Sequence, residues 1–332
     1  MLTLGWKASA EQFGPRELLD YGIAAEKHGF DSIVVSDHFH PWKDTDGHAP
    51  FSFAWLGAMG ARTTRARLGT SVVTPTFRYH PAIVAQAFAT LGVLFPGRVF
   101  LGVGSGESMN ETPVTGHEWP APGERLQRLG EAVALIKELW SDDYVTWKGK
   151  HYRTEAAKIF DKPNERVPIF IAAAGPKAAE QVGKLGDGFI CTSGKGIELY
   201  RDVLLPNLEK GARESGRNAA HIEKMIEIKV SFDSDRDRAL ADTREWAALA
   251  LPAEDKAGVE DPREMERRAA GAADSAHRRF IVTNDPDECV AQIEPYVALG
   301  FTHLVFHFPG KDQERAMAQY ASEVLPRLRK RI

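Results

Sequence analysis

Short apolar runs and longer amphipathic stretches alternate along this chain of 332 residues. The runs LTLGW (2–6), SIVVSD (32–37), ARLGTSVV (66–73) and RVFLGVG (98–104) predict strands. So do VPIFIAAA (167–174), GFICT (188–192), KMIEIKVSF (224–232) and HLVFHF (303–308). Several are apolar almost without interruption, as strands covered on both faces must be. Between them, helical patterning runs over Pro15 to His28, Phe53 to Thr64, Pro81 to Phe95 and Gly123 to Trp140. It resumes over Lys177 to Leu185, Leu199 to Glu214, Asp287 to Leu299 and Asp312 to Leu328. Eight strands each followed by a helix predict a closed parallel (β/α)8 TIM barrel, a single domain over 1–332. Three stretches exceed the repeat: about 106–121 and 142–166, rich in Gly, Pro and aromatics, and the charged segment 248–280. Such insertions are expected to decorate the C-terminal face of the barrel.

Composition narrows the function classes. Lysine and arginine number 42 against 46 acidic residues, a formal charge of −4 with neither sign piled up over a long stretch. That pattern predicts no nucleic-acid and no membrane-surface partner. The basic run Arg327, Arg329, Lys330 and Arg331 closes the last predicted helix, where cations favour the dipole. Cys191 and Cys289 are the only cysteines, pointing to a reducing compartment rather than a disulfide framework. The start, MLTLGWKASAEQ, lacks the pattern of an export signal. The most apolar stretch, Pro81 to Phe95, is broken by Gln86 and Gly92, too short to span a bilayer. A cytoplasmic protein is expected.

Active sites of such barrels lie at the C-terminal strand ends. The second strand ends in Asp37-His38, followed by His40 and Trp42; the third in Ser71, with Thr74 and Thr76 beyond. The fourth runs into Gly104-Ser105-Gly106-Glu107 and Asn110, the fifth into Ala173-Ala174-Gly175-Pro176, the sixth into Thr192-Ser193-Gly194-Lys195, and His307 closes the eighth. His38 and Glu107, beyond the second and fourth strands, suit oxidation of an alcohol, because loss of a hydride requires the hydroxyl proton to leave as well. Asp37 points to the opposite side from His38 and is a candidate for a cofactor edge. Trp42 offers a flat face and an N–H donor, or simple packing. AAAGP places free N–H groups at a helix start, where a phosphate is favoured. Lys195 adds an ammonium, and Lys256 and Arg279 are either a second anion clamp or solvated surface charge.

Rival motifs fail on spacing. GVGSGE carries Glu107 where a dinucleotide fingerprint needs its third glycine, and SGKG lacks the upstream glycine of a phosphate-binding loop. His38-Phe39-His40 resembles a barrel metallohydrolase pair, but no further histidine stands at the fifth or sixth strand end, so no metal is expected.

SDHFHPW, GTSVVTPTFRYHPA, RVFLGVGSGE, DGFICTSGKG and HLVFHFPGKDQER resemble the luciferase-like superfamily, and within it the family of coenzyme F420-dependent glucose-6-phosphate dehydrogenases. The resemblance covers essentially the whole chain. It implies that the deazaflavin coenzyme F420 sits against Asp37, Ser71, Val72, Thr74, Ser105, Gly106 and Asn110, with Ala173, Ala174 and Gly175 holding its tail. It also implies a cis peptide between Ser71 and Val72. His38, Trp42 and Glu107 match catalytic residues, and Thr192, Lys195, Lys256 and Arg279 match those gripping the phosphate of glucose 6-phosphate. A homodimer is implied by the resemblance alone. The alternatives are the same coenzyme with another sugar phosphate or alcohol, or an FMN-dependent monooxygenase.

Overall fold

The computed structural model describes residues 2–330. Its strands are β1 (Thr3–Ala8), β2 (Ser32–Val35), β3 (Arg67–Thr70), β4 (Val99–Val103), β5 (Ile169–Ala172), β6 (Gly188–Thr192), β7 (Glu223–Phe232), β8 (Ile281–Thr283) and β9 (His303–His307). All pair in parallel, each of β1 to β6 with its sequence neighbours, β6 with β7, β7 with β9, and β9 back to β1. Eight strands therefore close the barrel, and β9 is the strand predicted at 303–308. The short β8 was not expected. It pairs only with Val230–Phe232, the end of β7 that runs on past its contacts with β6 and β9.

Alternation along the strands sorts the two cores. Val34, Phe100, Phe170, Ile190, Met225 and Val305 point inward and fill the barrel. The opposite faces, with Trp6 and Phe189 among them, pack in the layer between strands and helices, together with Phe30 and with Tyr320 of the last long helix. Glycines make room for the interior rings: a Cβ on Gly69 would lie 2.4 Å from the Phe100 ring, and one on Gly188 2.4 Å from Phe170. At the N-terminal end of the barrel, Arg67 spans 5.4 and 5.9 Å to the centroids of Phe100 and Phe170. Its guanidinium donates to both oxygens of Glu223, at 2.8 and 3.2 Å. His303 Nδ1 lies 3.0 Å from the same carboxylate and its Nε2 2.7 Å from Ser32 Oγ. Burial would raise the Glu223 pKa, but His303 and Arg67 outweigh it and hold it at about 2. This end is a satisfied polar plug.

The helix Pro81–Leu94 buries Val84, Ala85, Phe88 and Ala89, and no helix of the described residues is long and apolar enough to cross a membrane. Arg327 pairs with Asp287 and Arg329 with Asp31; Arg331 lies outside the described residues. Among the insertions, 106–121 contains the helix Ser108–Thr115, and 142–166 carries the bridges Val145–Ala157 and Lys148–Arg153. Beyond β7 the chain forms helical pieces Thr243–Ala250, Ala253–Lys256, Pro262–Ala269 and Ala270–Arg279. Met109 of the first insertion packs with Ala248, Val259, Met265 and Trp42, so the first and third insertions meet over the barrel mouth. Gly69→Ala is expected to cost roughly 1–3 kcal/mol by overpacking the interior, read as a lower denaturant midpoint with an unchanged slope.

Candidate active site

A cavity of about 760 Å³ opens at the C-terminal end of the strands, within the range that holds cofactor-sized ligands. Every residue expected to hold the coenzyme lines it: Asp37, Ser71, Val72, Thr74, Ser105, Gly106, Asn110, Ala173, Ala174 and Gly175. His38, Glu107 and Thr192 line it too. Trp42, Lys195, Lys256 and Arg279 are not part of that lining; Trp42 is in the loop after β2, Lys195 in the loop after β6, and Lys256 and Arg279 on the third insertion.

The cavity wall is built from loops that hold one another. The Ser71–Val72 peptide is cis, and the buried Lys7 ammonium donates to Ser71 O at 2.9 Å. Asp37 is buried, its Oδ1 accepting from Ser52 Oγ at 2.6 Å and its Oδ2 from Arg78 at 2.7 Å. Arg78 reaches Glu111 as well, at 3.1 Å, tying the loops after β2, β3 and β4 together. Asn110 Oδ1 accepts from the backbone of Phe39 and His40 at 2.8 and 3.1 Å, fixing the turn after His38. Gly106 has φ +82°, and a Cβ there would come within 2.8 Å of Thr74. Gly175 leads into the helix Pro176–Leu185, and a Cβ on it would meet nothing within 4 Å, leaving an open cradle at a helix N-terminus. Arg125 and Lys177 add cationic groups to the same wall.

His38 is not isolated. Its Nδ1 lies 2.8 Å from Glu11 Oε1, whose other neighbour is the Ser36 hydroxyl at 3.0 Å. Burial pushes the imidazole pKa down, but the Glu11 carboxylate, with a smaller contribution from Glu107, more than offsets it and the net shift is upward. Burial would raise Glu11 in turn; His38 and Lys7 overcome that and bring it to about 2. Glu107 is the exposed N-cap of the helix Ser108–Thr115 after β4, within electrostatic reach of His38.

The cations expected around a phosphate do converge. Gly194 has φ +80°, and a Cβ there would come within 2.9 Å of the Arg279 carbonyl oxygen, so the TSGKG loop passes directly over Arg279. The Lys256 pKa is lowered, first by burial and then by Arg279 and Lys195, which places the three in electrostatic reach of one another. The Lys256 ammonium also stands 5.5 Å from the centroid of Trp42. Arg279 Nε is buried without a partner.

Sequence reasoning missed Lys7, Glu11, Arg78 and Glu227. Lys7 and Glu11 stand at and beyond the end of β1, the one early strand whose end was passed over. Glu227 and Lys229 interrupt an apolar strand at alternate positions, the mark of charges turned into the barrel. Arg78 carried no signal, since nothing local shows which carboxylates it meets. Among the described residues, no group of three or more His, Cys, Asp or Glu is placed to hold a metal ion.

The sequence matches the luciferase-like monooxygenase family over residues 3–303. The chain belongs to that family. Its similar relatives include proteins named F420-dependent glucose-6-phosphate dehydrogenase from Nakamurella multipartita, 56% identical over 99% of this chain and 97% of the relative. Another of that name, from Beutenbergia cavernae, is 58% identical over 100% of this chain and 98% of its own. An F420-dependent secondary alcohol dehydrogenase, solved in complex with an F420-acetone adduct, superimposes with a TM-score of 0.91 at 36% identity. That comparison covers 97% of this chain and 98% of the other.

The His38 shift has a direct test. The imidazole is expected to titrate above its usual 6.5 and to move downward in Glu11→Gln, because the carboxylate that stabilises the imidazolium is removed. Histidine NMR titration reads both; an unmoved His38 resonance in the variant would dissolve the pair.

Proposed function

We propose that the protein oxidises D-glucose 6-phosphate to 6-phosphogluconolactone, coenzyme F420 taking up the hydride at its ring carbon C5. The observation that carries this reading is one imidazole and one carboxylate lining a cofactor-sized cavity, with three cations in electrostatic reach of one another and one of them, Lys256, in reach of that carboxylate. The relatives bearing this activity in their names, at 54–58% identity over nearly the whole chain, support it.

The residues present fit the coenzyme. The cavity has the volume, the cis Ser71–Val72 peptide forms one wall, and the open cradle at Gly175 with Arg125 and Lys177 suits an acidic tail. Asp37 works through Arg78 and Ser52, which hold its carboxylate, and Asn110 works through the turn it caps. Thr74, Ser105 and Gly106 would hold the ring, and Ala173, Ala174 and Gly175 the tail.

On the substrate side, Lys195, Lys256 and Arg279 neutralise the phosphate dianion, with Thr192 beside them. His38 accepts the proton of the anomeric hydroxyl, and Glu11 stabilises the imidazolium so formed. Glu107 would supply the proton that the reduced coenzyme takes up, balancing the proton that leaves to His38. Trp42, stacked under Lys256, closes the sugar between clamp and base. The cationic cluster favours a phosphorylated substrate over a small secondary alcohol. The single-domain organisation, a cytoplasmic location and a homodimer belong to the same proposal; the exposed Phe51, its ring tilted against Phe53 and Tyr79, supplies apolar surface for a partner copy.

Purified protein mixed with oxidised F420 and glucose 6-phosphate is expected to bleach the coenzyme's visible absorbance, with FMN and NADP inactive. No bleaching with sugar phosphates, despite tight coenzyme binding, would remove the substrate assignment. Glu107→Gln is expected to lose turnover by roughly 100-fold or more while binding coenzyme normally. Lys195→Ala is expected to raise KM for the sugar phosphate with little change in kcat, because it holds a non-reacting group.

A further inference from the structure

Glu227 stands on β7 beside Thr192 of β6 and Val305 of β9, and its side chain turns into the barrel like those of Glu223 and Met225 below it. It is 8% exposed, yet it lines the cavity. Three cationic or ionisable groups surround it without closing on it: Lys7 Nζ at 3.7 Å, Lys229 Nζ at 3.9 Å and His307 Nδ1 at 3.5 Å. None is a good hydrogen bond by length. Burial would raise the Glu227 pKa, but Lys7 first, then His307 and Lys229, drive it well below the usual carboxylate range. The result is a carboxylate kept ionised from behind, with its lone pairs free toward the cavity.

Its neighbours locate it between the two ends of the substrate site. Lys7 acts electrostatically on His38, the group facing the reacting carbon, and Lys229 is acted on by Arg279 of the phosphate clamp. A hexose phosphate with its phosphate at Arg279 and its anomeric hydroxyl at His38 lays its ring across Glu227. A buried carboxylate and a pair of neighbouring hydroxyls are complementary, two acceptors for two donors.

We infer that Glu227 is the residue that reads the sugar ring, accepting hydrogen bonds from neighbouring ring hydroxyls and so setting the preference among sugar phosphates. This rests on the sugar-phosphate dehydrogenase reading and adds to it a residue that binds no phosphate and moves no proton. Lys7, Lys229 and His307 are positioning residues that keep the carboxylate charged and aimed.

The test uses the intact enzyme with F420 and compares glucose 6-phosphate with its 2-, 3- and 4-deoxy analogues, its C2 and C4 epimers, and isopropanol. Wild-type kcat/KM is expected to fall roughly 10- to 100-fold for at least one monodeoxy analogue, the loss expected for hydrogen bonds to a charged group. Glu227→Gln is expected to lower kcat/KM for glucose 6-phosphate by a similar factor and to erase most of that discrimination, with coenzyme affinity by fluorescence unchanged. Glu227→Asp, which keeps the buried charge and shortens its reach, is expected to fall between the two. Equal turnover of all deoxy analogues by the wild type, which does not depend on any variant folding, would overturn the inference. So would an unchanged discrimination ratio in Glu227→Asp, or a loss confined to coenzyme affinity. Oxidation of isopropanol with no sugar phosphate turned over would instead remove the dehydrogenase reading itself, and the inference with it.

Discussion

The guanidinium of Arg78 is held between two buried carboxylates, Asp37 at 2.7 Å and Glu111 at 3.1 Å, and the barrel mouth is organised around it. Asp37 follows β2, Arg78 lies in the loop after β3, and Glu111 is on the helix Ser108–Thr115 after β4. Those loops also carry His38, Thr74, Ser105 and Asn110, so the cavity wall and the imidazole share one anchor. The Arg78 guanidinium also lies 4.8 Å from the centroid of Tyr79, which adds a face to its edge contacts. One cation serving two carboxylates leaves the site short of positive charge, and burial accordingly keeps Glu111 above the usual range despite Arg78. Removing either side of such a cluster strands an uncompensated buried charge, at about 3–5 kcal/mol.

Charge in the rest of the mouth is arranged in the same spirit, as buried pairs that leave one member facing the cavity. Glu11 holds His38 from behind, and Lys7 lies within electrostatic reach of both while donating to the Ser71 carbonyl. Lys7 also approaches Glu227, joining the imidazole side of the site to β7. On the far side the cations of the long insertion stand against one another, and Arg279 Nε is left without a partner. Half-buried like charges repel one another and are relieved by an anion, as the proposed phosphate clamp requires. The opposite end of the barrel closes on the fully paired Ser32, Arg67, Glu223 and His303.

The alternation of apolar runs and helical stretches was enough to read the barrel, because strands buried on both faces and helices covering them leave different periods in the chain. It also located the site, because in a parallel barrel every strand delivers its C-terminal residue to the same rim. Asp37, His38, Ser71, Glu107 and Thr192 were legible for that reason, and the glycines of GVGSGE and TSGKG marked where loops come close. Resemblance of the motifs supplied the coenzyme and the substrate, which periodicity does not carry.

Tertiary structure decided which of those polar groups act together. Arg78 is one arginine among many in the sequence, and only the fold brings Asp37 and Glu111 to it from positions 41 and 33 residues away. Glu11 and His38 lie in different loops, so the upward shift of the imidazole is a property of their approach. The short β8 exists because β7 outruns its barrel neighbours and leaves an edge to be paired. The residues by themselves left Lys256 and Arg279 open between an anion clamp and surface charge; the folded insertion sets Arg279 against Gly194 and Lys256 over Trp42. Local periodicity records which face of an element is buried, whereas the energy of a charge depends on what meets it across the fold, and that is set only when the barrel closes.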